Sequence, residues 1–420
     1  MRVLQINTFY IHGSTGRIMY DLMSVMEENG ITAYAAYGQD REANKGKVLP
    51  HNVIRLQGQI QRKLNILRTR LFDHHGFYNE AETRKLLKWI DEVKPDIIHL
   101  HNIHNHYVHV GKLFAYIKQH NIPVVWTLHD CWPFTGHCAY FDYANCDKWK
   151  TKCFDCPSLK EYPPTWIFDR SSSQFEEKRD VFCGVKNLTV VTPSRWLANL
   201  CKESFLKDYP VTVINNGIDT SIFRPQEENI KKTLGIEGKK MILAVSAFQK
   251  RKGIEYLLDL PNQLVDNEIL VWVGLRKEHL KLLPSRNCIG IPETDNIQQL
   301  AVYYSSCDVF VNPTLEDNFP TTNIEALACG APIVTFRTGG SIEAVEDGIN
   351  TEVKEKMLIT EYGAIVDKGD IDALITAIRI VLSNDRKSYQ KKCSQKGIYS
   401  YNRWTQYKKY IDLYKDIQSK

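Results

Sequence analysis

Two carboxylates, Asp317 and Glu325, stand with seven residues between them in Asn312-Pro-Thr-Leu-Glu-Asp-Asn-Phe-Pro-Thr-Thr-Asn-Ile-Glu-Ala-Leu-Ala-Cys-Gly-Ala-Pro-Ile-Val-Thr335. The apolar run Val309-Phe310-Val311 leads in, and the small-residue helix around Ala326-Leu327-Ala328 leads out. Gly330 and Pro332 stop that helix, and Ile333–Phe336 is the next buried strand. A strand–loop–helix–strand unit puts its loop at the carboxyl edge of a parallel sheet, where open α/β folds bind ligands. The first amides of the helix face an anion there, and the acids on either side suit the hydroxyls of a sugar. An ordinary crossover with two solvated acids has the same outline.

The segment resembles the E-x7-E region of the retaining, nucleotide-sugar-dependent glycosyltransferases of family four, which have the GT-B fold. The spacing selects Asp317 as the first acid, since Glu316 leaves eight residues before Glu325. Pro320, which lacks an amide, stands where the family has a small residue. The resemblance implies that Asp317 and Glu325 hold the transferred sugar, with Glu325 or its neighbours reaching the ribose or phosphate side. Asn318, Phe319, Thr321 and Thr322 are then candidate donor contacts. It also places a sugar-contacting histidine at His129, where His129-Asp130 follows the strand Val124–Leu128. A structural histidine capping a strand end is the alternative there. Lys252, in Ala244-Val-Ser-Ala-Phe-Gln-Lys-Arg-Lys-Gly253, matches the family lysine that neutralises the leaving diphosphate. The family arginine falls on Ala247, and Arg251 is the nearest cation that can replace it, with a planar fork suited to phosphate. By resemblance the anomeric configuration is retained and catalysis requires no metal or other cofactor.

Positioning these groups takes two α/β halves. A chain of 420 residues exceeds the size of one core, so two domains are expected. The first opens with strand Val3–Ile6, the loop His12-Gly13-Ser14-Thr15-Gly16-Arg17, and a helix over Ile18–Met26. Amides of Gly13, Ser14, Thr15 and Gly16 can cradle a phosphate, although many α/β turns carry glycine for steric reasons alone. Further strands at Ala33–Tyr37, Asp96–Leu100 and Pro123–Leu128 alternate with helices, which implies a right-handed parallel sheet. The second half repeats the scheme from Met241. The expected architecture is α/β: two Rossmann-like domains facing each other across a cleft, 1–218 on the acceptor side and 219–400 for the nucleotide-sugar. Residues 401–420 form a helix returning to the first, and Val211–Asp219 with Phe223-Arg-Pro225 resembles the family's interdomain signature.

Cys138, Cys146, Cys153 and Cys156 fall within one short segment. A Cys-x2-Cys pair with two nearby cysteines is a candidate structural zinc site; free or redox-labile thiols are the alternative. His99, His101, His104, His106 and His109 lack regular facial spacing and are expected as polar lining of the cleft. The segment Ile54–Phe72 carries Arg55, Arg62, Lys63, Arg68 and Arg70 without an acid, and its Leu56, Ile60, Leu64, Leu67 and Leu71 share one face. It is either a basic helix resting on anionic lipid or, more ordinarily, a core-facing helix with a solvated basic side.

A net charge of +5 is mild for this length and does not point to nucleic acid. No apolar run approaches the roughly 18 residues of a membrane span. The polar amino terminus does not look like an export signal, and the odd number of cysteines, eleven, fits a reducing cytosol. The expected location is therefore cytoplasmic, with the inner membrane surface as a candidate partner. The expected partners are a nucleotide-sugar donor and a glycan or lipid-linked acceptor in polysaccharide biosynthesis. Competing readings are another GT-B enzyme, such as an epimerase or phosphorylase, and a catalytically silent sugar-nucleotide-binding scaffold.

Overall fold

The computed structural model describes residues 1–39, 48–294, 296–346 and 352–419. It divides into two units, Met1–Asn215 with Tyr407–Lys420, and Asn216–Gln406. The division falls just before the Asn216-Gly217 turn, and the helix Arg403–Gln418 belongs to the first unit only from Tyr407 onward. Lys420, at the end of the expected returning helix, lies outside the described residues.

The first unit is built on seven strands: β1 (Arg2–Phe9), β2 (Thr32–Gln39), β3 (Val53–Arg55), β4 (Ile97–Leu100), β5 (Val124–Thr127), β6 (Leu188–Thr192) and β7 (Val211–Val213). They run in the order β3-β2-β1-β4-β5-β6-β7, all parallel. Their near-continuous apolar runs follow from burial on both faces. Val3, Leu4 and Ile6 are wholly buried, as are Val124, Val125 and Trp126. Tyr407, Tyr410, Ile411 and Tyr414 close one of the two face cores.

The second unit has eight strands: β8 (Lys240–Val245), β9 (Glu268–Leu275), β10 (Cys288–Pro292), β11 (Val309–Asn312), β12 (Ile333–Phe336), β13 (Glu352–Lys354), β14 (Met357–Thr360) and β15 (Gly363–Val366). The order is β10-β9-β8-β11-β12-β15-β14-β13. All pairs are parallel except those of β14, which runs antiparallel to β13 and β15. This hairpin edge departs from the wholly parallel sheet expected, because a two-residue connection joins its first two strands.

The expected glycine loop is different too. The helix Gly13–Glu28 begins at Gly13, so Gly13, Ser14, Thr15 and Gly16 form its first turn instead of a separate loop. Gly13 has φ of +68°, and a Cβ at Gly16 would lie 3.1 Å from that of Phe9. Gly16 is therefore a packing residue between helix and strand, while Gly13 and Ser14 are exposed.

Candidate functional site

In each sheet the strand order reverses beside the first strand of its unit, between β1 and β4 and between β8 and β11. Loops leaving the carboxyl ends of such a pair flank the crevice where α/β sheets take ligands. In the second unit these are the turn Lys250–Lys252, after β8, and residues 313–320, after β11.

Gly253 allows the two to dock. Its φ is +74°, and a Cβ there would stand 1.9 Å from the Pro313 carbonyl oxygen. The Arg251 carbonyl accepts from the Leu315 amide at 2.8 Å and from Thr314 Oγ1 at 3.1 Å. Arg251 Nη1 donates to the Glu316 carbonyl at 3.3 Å. Arg251 thus clamps the acidic loop, while Ala247 sits exposed just beyond β8 with no charge to offer. Lys252 Nζ donates to Asp317 Oδ2 in an ion pair, and Asp317 Oδ1 accepts from the Asn318 amide at 3.0 Å. Burial pushes the Lys252 ammonium below the ordinary lysine value, and the Asp317 carboxylate works against that shift.

Glu325 lies on the helix Thr321–Ala328, and its Oε2 accepts from the Tyr304 hydroxyl at 3.1 Å. Tyr304 is fully buried, and burial drives its phenol well above the usual range. Pro320 forms the helix N-cap in an extended conformation. A proline costs little there, because the first amides of a helix lack intrahelical partners in any case. Thr321 and Thr322 occupy the first turn and are half-buried. The Phe319 side chain, expected at the donor, packs into the core beside Tyr401, and its carbonyl accepts from Asn216 Nδ2 at 3.1 Å. Burying an aromatic ring gains more than exposing it at a loop, so this residue positions Asn318 from behind.

In the first unit His129 follows β5 and is half-buried. Gln5 Nε2 donates to the Met19 carbonyl at 3.1 Å, which leaves Gln5 Oε1 to accept from His101 Nε2 at 2.9 Å. His101 Nδ1 is then an acceptor, and His129 Nε2 donates to it at 3.1 Å. The relay assigns each tautomer and leaves Nδ1 of His129 as its lone-pair nitrogen. Burial holds His129 neutral, pushed down to about 3, and pushes His101 well below the ordinary histidine value. Asp130 Oδ1 accepts from the Trp132 amide at 3.1 Å, and Oδ2 lies 3.4 Å from His104 Nε2.

The histidine expectation needs correcting. His99, His101 and His104 are at most 1 % exposed, so they are interior groups and not the lining expected. His99 meets the Tyr414 hydroxyl at 2.6 Å and Thr127 Oγ1 at 2.8 Å. His109 caps the helix Val110–His120, accepting from the Lys112 amide. Gln5 and Tyr304 were not candidates from sequence, and His101 was expected only as lining, because each reaches its partner only through the fold.

Cys138, Cys146, Cys153 and Cys156 line one small pocket together with His137, Phe141 and Trp149. All four are unpaired thiols. Cys153 Sγ accepts from the Gly136 amide at 3.2 Å. A hydrogen bond from Cys138 lowers the Cys156 thiol to about 7. Among the described residues, no group of three or more His, Cys, Asp or Glu is arranged to hold a metal ion. The cysteines converge, but without a preformed tetrahedral set.

A model of the family described as Glycosyltransferase Family 4 matches residues 16–222, and one described as Glycosyl transferases group 1 matches residues 225–399. The chain belongs to the family-four glycosyltransferases. This glycosyltransferase is 26% identical over 375 residues to a protein of Escherichia coli (strain K12) described as the colanic acid biosynthesis glycosyl transferase WcaC. That match covers 86% of this chain and 89% of the relative. Among solved structures, sucrose-phosphate synthase from Thermosynechococcus elongatus superposes with a TM-score of 0.73 at 17% identity, covering 100% of this chain and 99% of the other. HepE of Anabaena, in complex with UDP-glucose, gives 0.66 at 15% identity, covering 99% and 100%. The two Rossmann-like bodies are those of a GT-B fold.

Proposed function

We propose that this glycosyltransferase moves a sugar from a nucleoside-diphosphate donor to a hydroxyl of a glycan or lipid-linked acceptor, with retention of configuration, in polysaccharide assembly. The observation that carries the reading is the Lys252–Asp317 pair, clamped by Arg251 where the β8 and β11 loops meet. The polysaccharide context draws on the likeness to WcaC, and the donor class on the UDP-glucose held by HepE.

In the reaction, the bond from the anomeric carbon to the phosphate oxygen breaks, and its electron pair leaves with the diphosphate. The acceptor oxygen bonds the same carbon on the same face, and its proton passes to the departing phosphate oxygen. Lys252 and the amides of Thr321 and Thr322 stabilise the growing phosphate charge, a contribution of about 3 kcal/mol for one well-aimed donor. Glu325, steadied by Tyr304, accepts from sugar or ribose hydroxyls. Neutral His129 offers hydrogen bonding to a sugar without adding positive charge beside the developing cation.

A thermal-shift screen against UDP, GDP, ADP, CMP and TDP and their sugar-linked forms tests the donor site. One base is expected to raise the midpoint, and the effect is expected to vanish in Lys252→Ala. Donor turnover, followed by proton NMR of the product's anomeric signal, is expected to show retention. Binding without turnover on any acceptor would replace the transferase reading with a silent scaffold, and no shift at all would overturn the donor site.

A further inference from the structure

The helix Gln59–Phe72 is amphipathic in the reverse sense. Its inward face carries Asn65, Thr69 and, at the C-cap, Asp73, each at most 1 % exposed. Its outward face carries Ile60, Leu64, Leu67 and Phe72, exposed by 80%, 49%, 48% and 46%. Inward polar groups meet partners outside the helix: Asn65 Nδ2 donates to Asn79 Oδ1, Thr69 Oγ1 lies 3.3 Å from His106 Nδ1, and Asp73 pairs with His137 at 2.5 Å. Turning the helix over would strip these partners, so the apolar face is held outward by buried hydrogen bonds.

A second segment extends the apolar surface. The Trp166 amide donates to the Arg70 carbonyl at 2.6 Å, and Thr165 Oγ1 to the same carbonyl at 2.9 Å. Phe168 stacks on Phe72 with ring centroids 5.9 Å apart, and the Arg70 guanidinium lies 5.1 Å from the Trp166 ring centre. Trp166, Ile167 and Phe168 are more than half exposed. Arg62, Lys63, Arg68 and Arg70 stand among these residues, with no acid from Ile54 to Phe72.

We infer that this face docks on an anionic lipid bilayer, the helix lying in the headgroup plane with Leu64, Leu67, Phe72 and Trp166 inserted. The charge decides between occupants. A second copy meeting the same patch by two-fold symmetry would set four cations against four cations, whereas anionic headgroups neutralise them. Tryptophan and phenylalanine beside arginine are the composition of an interfacial helix. Among the described residues no helix is long and apolar enough to cross a membrane, so this surface supplies contact without spanning. The inference stands apart from the donor chemistry, since it reads lipid binding and not turnover.

The test is co-sedimentation of the full chain with phosphatidylcholine vesicles, with and without phosphatidylglycerol. Binding is expected only with the anionic lipid, and it is expected to fall as salt rises. Leu64→Ser with Leu67→Ser, and separately Arg68→Glu with Arg70→Glu, are expected to lower the bound fraction on the order of tenfold. Because these side chains are on the surface, unchanged circular dichroism is expected to show that both variants fold. Trp166→Phe is expected to remove a lipid-dependent blue shift of fluorescence. Equal binding to neutral vesicles, no binding, or variants that only turn a dimer into a monomer would each overturn the inference.

Discussion

Lys252 is paired with Asp317 in the protein by itself, so a donor diphosphate has to compete for its ammonium with a carboxylate already in contact. Lys252→Ala is expected to lower kcat/KM by on the order of 10²- to 10³-fold, measured as donor turnover, with the far-ultraviolet spectrum unchanged. Conversion of Asp317 to Asn frees Lys252, and tighter nucleoside-diphosphate binding with slower transfer is expected by calorimetry and kinetics together. Cys156 gives a different readout. With its thiol near 7, iodoacetamide at neutral pH is expected to modify it ahead of Cys153 and Cys201, both pushed up to about 12. Protection that disappears on adding a chelator would show instead that the four thiols close on zinc. Asp317, Glu325 and Lys252 were legible because their spacing lies within single loop–helix units. Tyr304 and Gln5 were not, since 21 residues separate Tyr304 from Glu325 and 96 separate Gln5 from His101.

Among elements, the buried strands were the easiest to see, because a strand covered on both faces is apolar along its whole length. The helix Gln59–Phe72 misled for an instructive reason. Periodicity reports that one face is apolar, and the inference that this face points inward is added by the reader. Here the inward face is Asn65, Thr69 and Asp73, whose partners Asn79 and His137 lie elsewhere in the chain. The hairpin β13–β14 escaped notice because its strands have only three and four residues. Gly253 is an element-scale device too, since it sets how closely the cationic turn approaches the acidic loop. Gly253→Ala is expected to raise the donor KM about tenfold and to lower the thermal midpoint, as a Cβ cannot occupy space 1.9 Å from an oxygen. Gly58→Ala, with open space around it and an ordinary φ, is the matched control and is expected to change stability by no more than about 0.5 kcal/mol.

Across the whole molecule the histidines are unevenly shared: of thirteen, only His279 falls in the second unit. In the first, burial pushes His99, His104 and His129 down to about 3 and His106 to about 4. The unfolded chain takes up these protons near pH 6.5, while the folded unit refuses them until well below. Stability is therefore full above about pH 6.5 and is lost as pH falls toward 4, at about 1.4 kcal/mol per histidine per pH unit. Hydrogen exchange at pH 5 is expected to show the first unit opening while the second stays protected. Simultaneous loss of protection in both units would contradict this.

The tyrosines near the carboxyl terminus bear on how the protein is made. Tyr410 and Tyr414 supply hydroxyls to Thr127 and to His99 inside the first unit, yet they leave the ribosome only after the whole of the second unit. The unit whose synthesis begins first is thus completed after the other has been made, and a nascent chain waits, with part of its first core open, until Tyr414 has emerged. A stop codon after Gln406 would spare every strand of both sheets and still deny the earlier domain its closing layer.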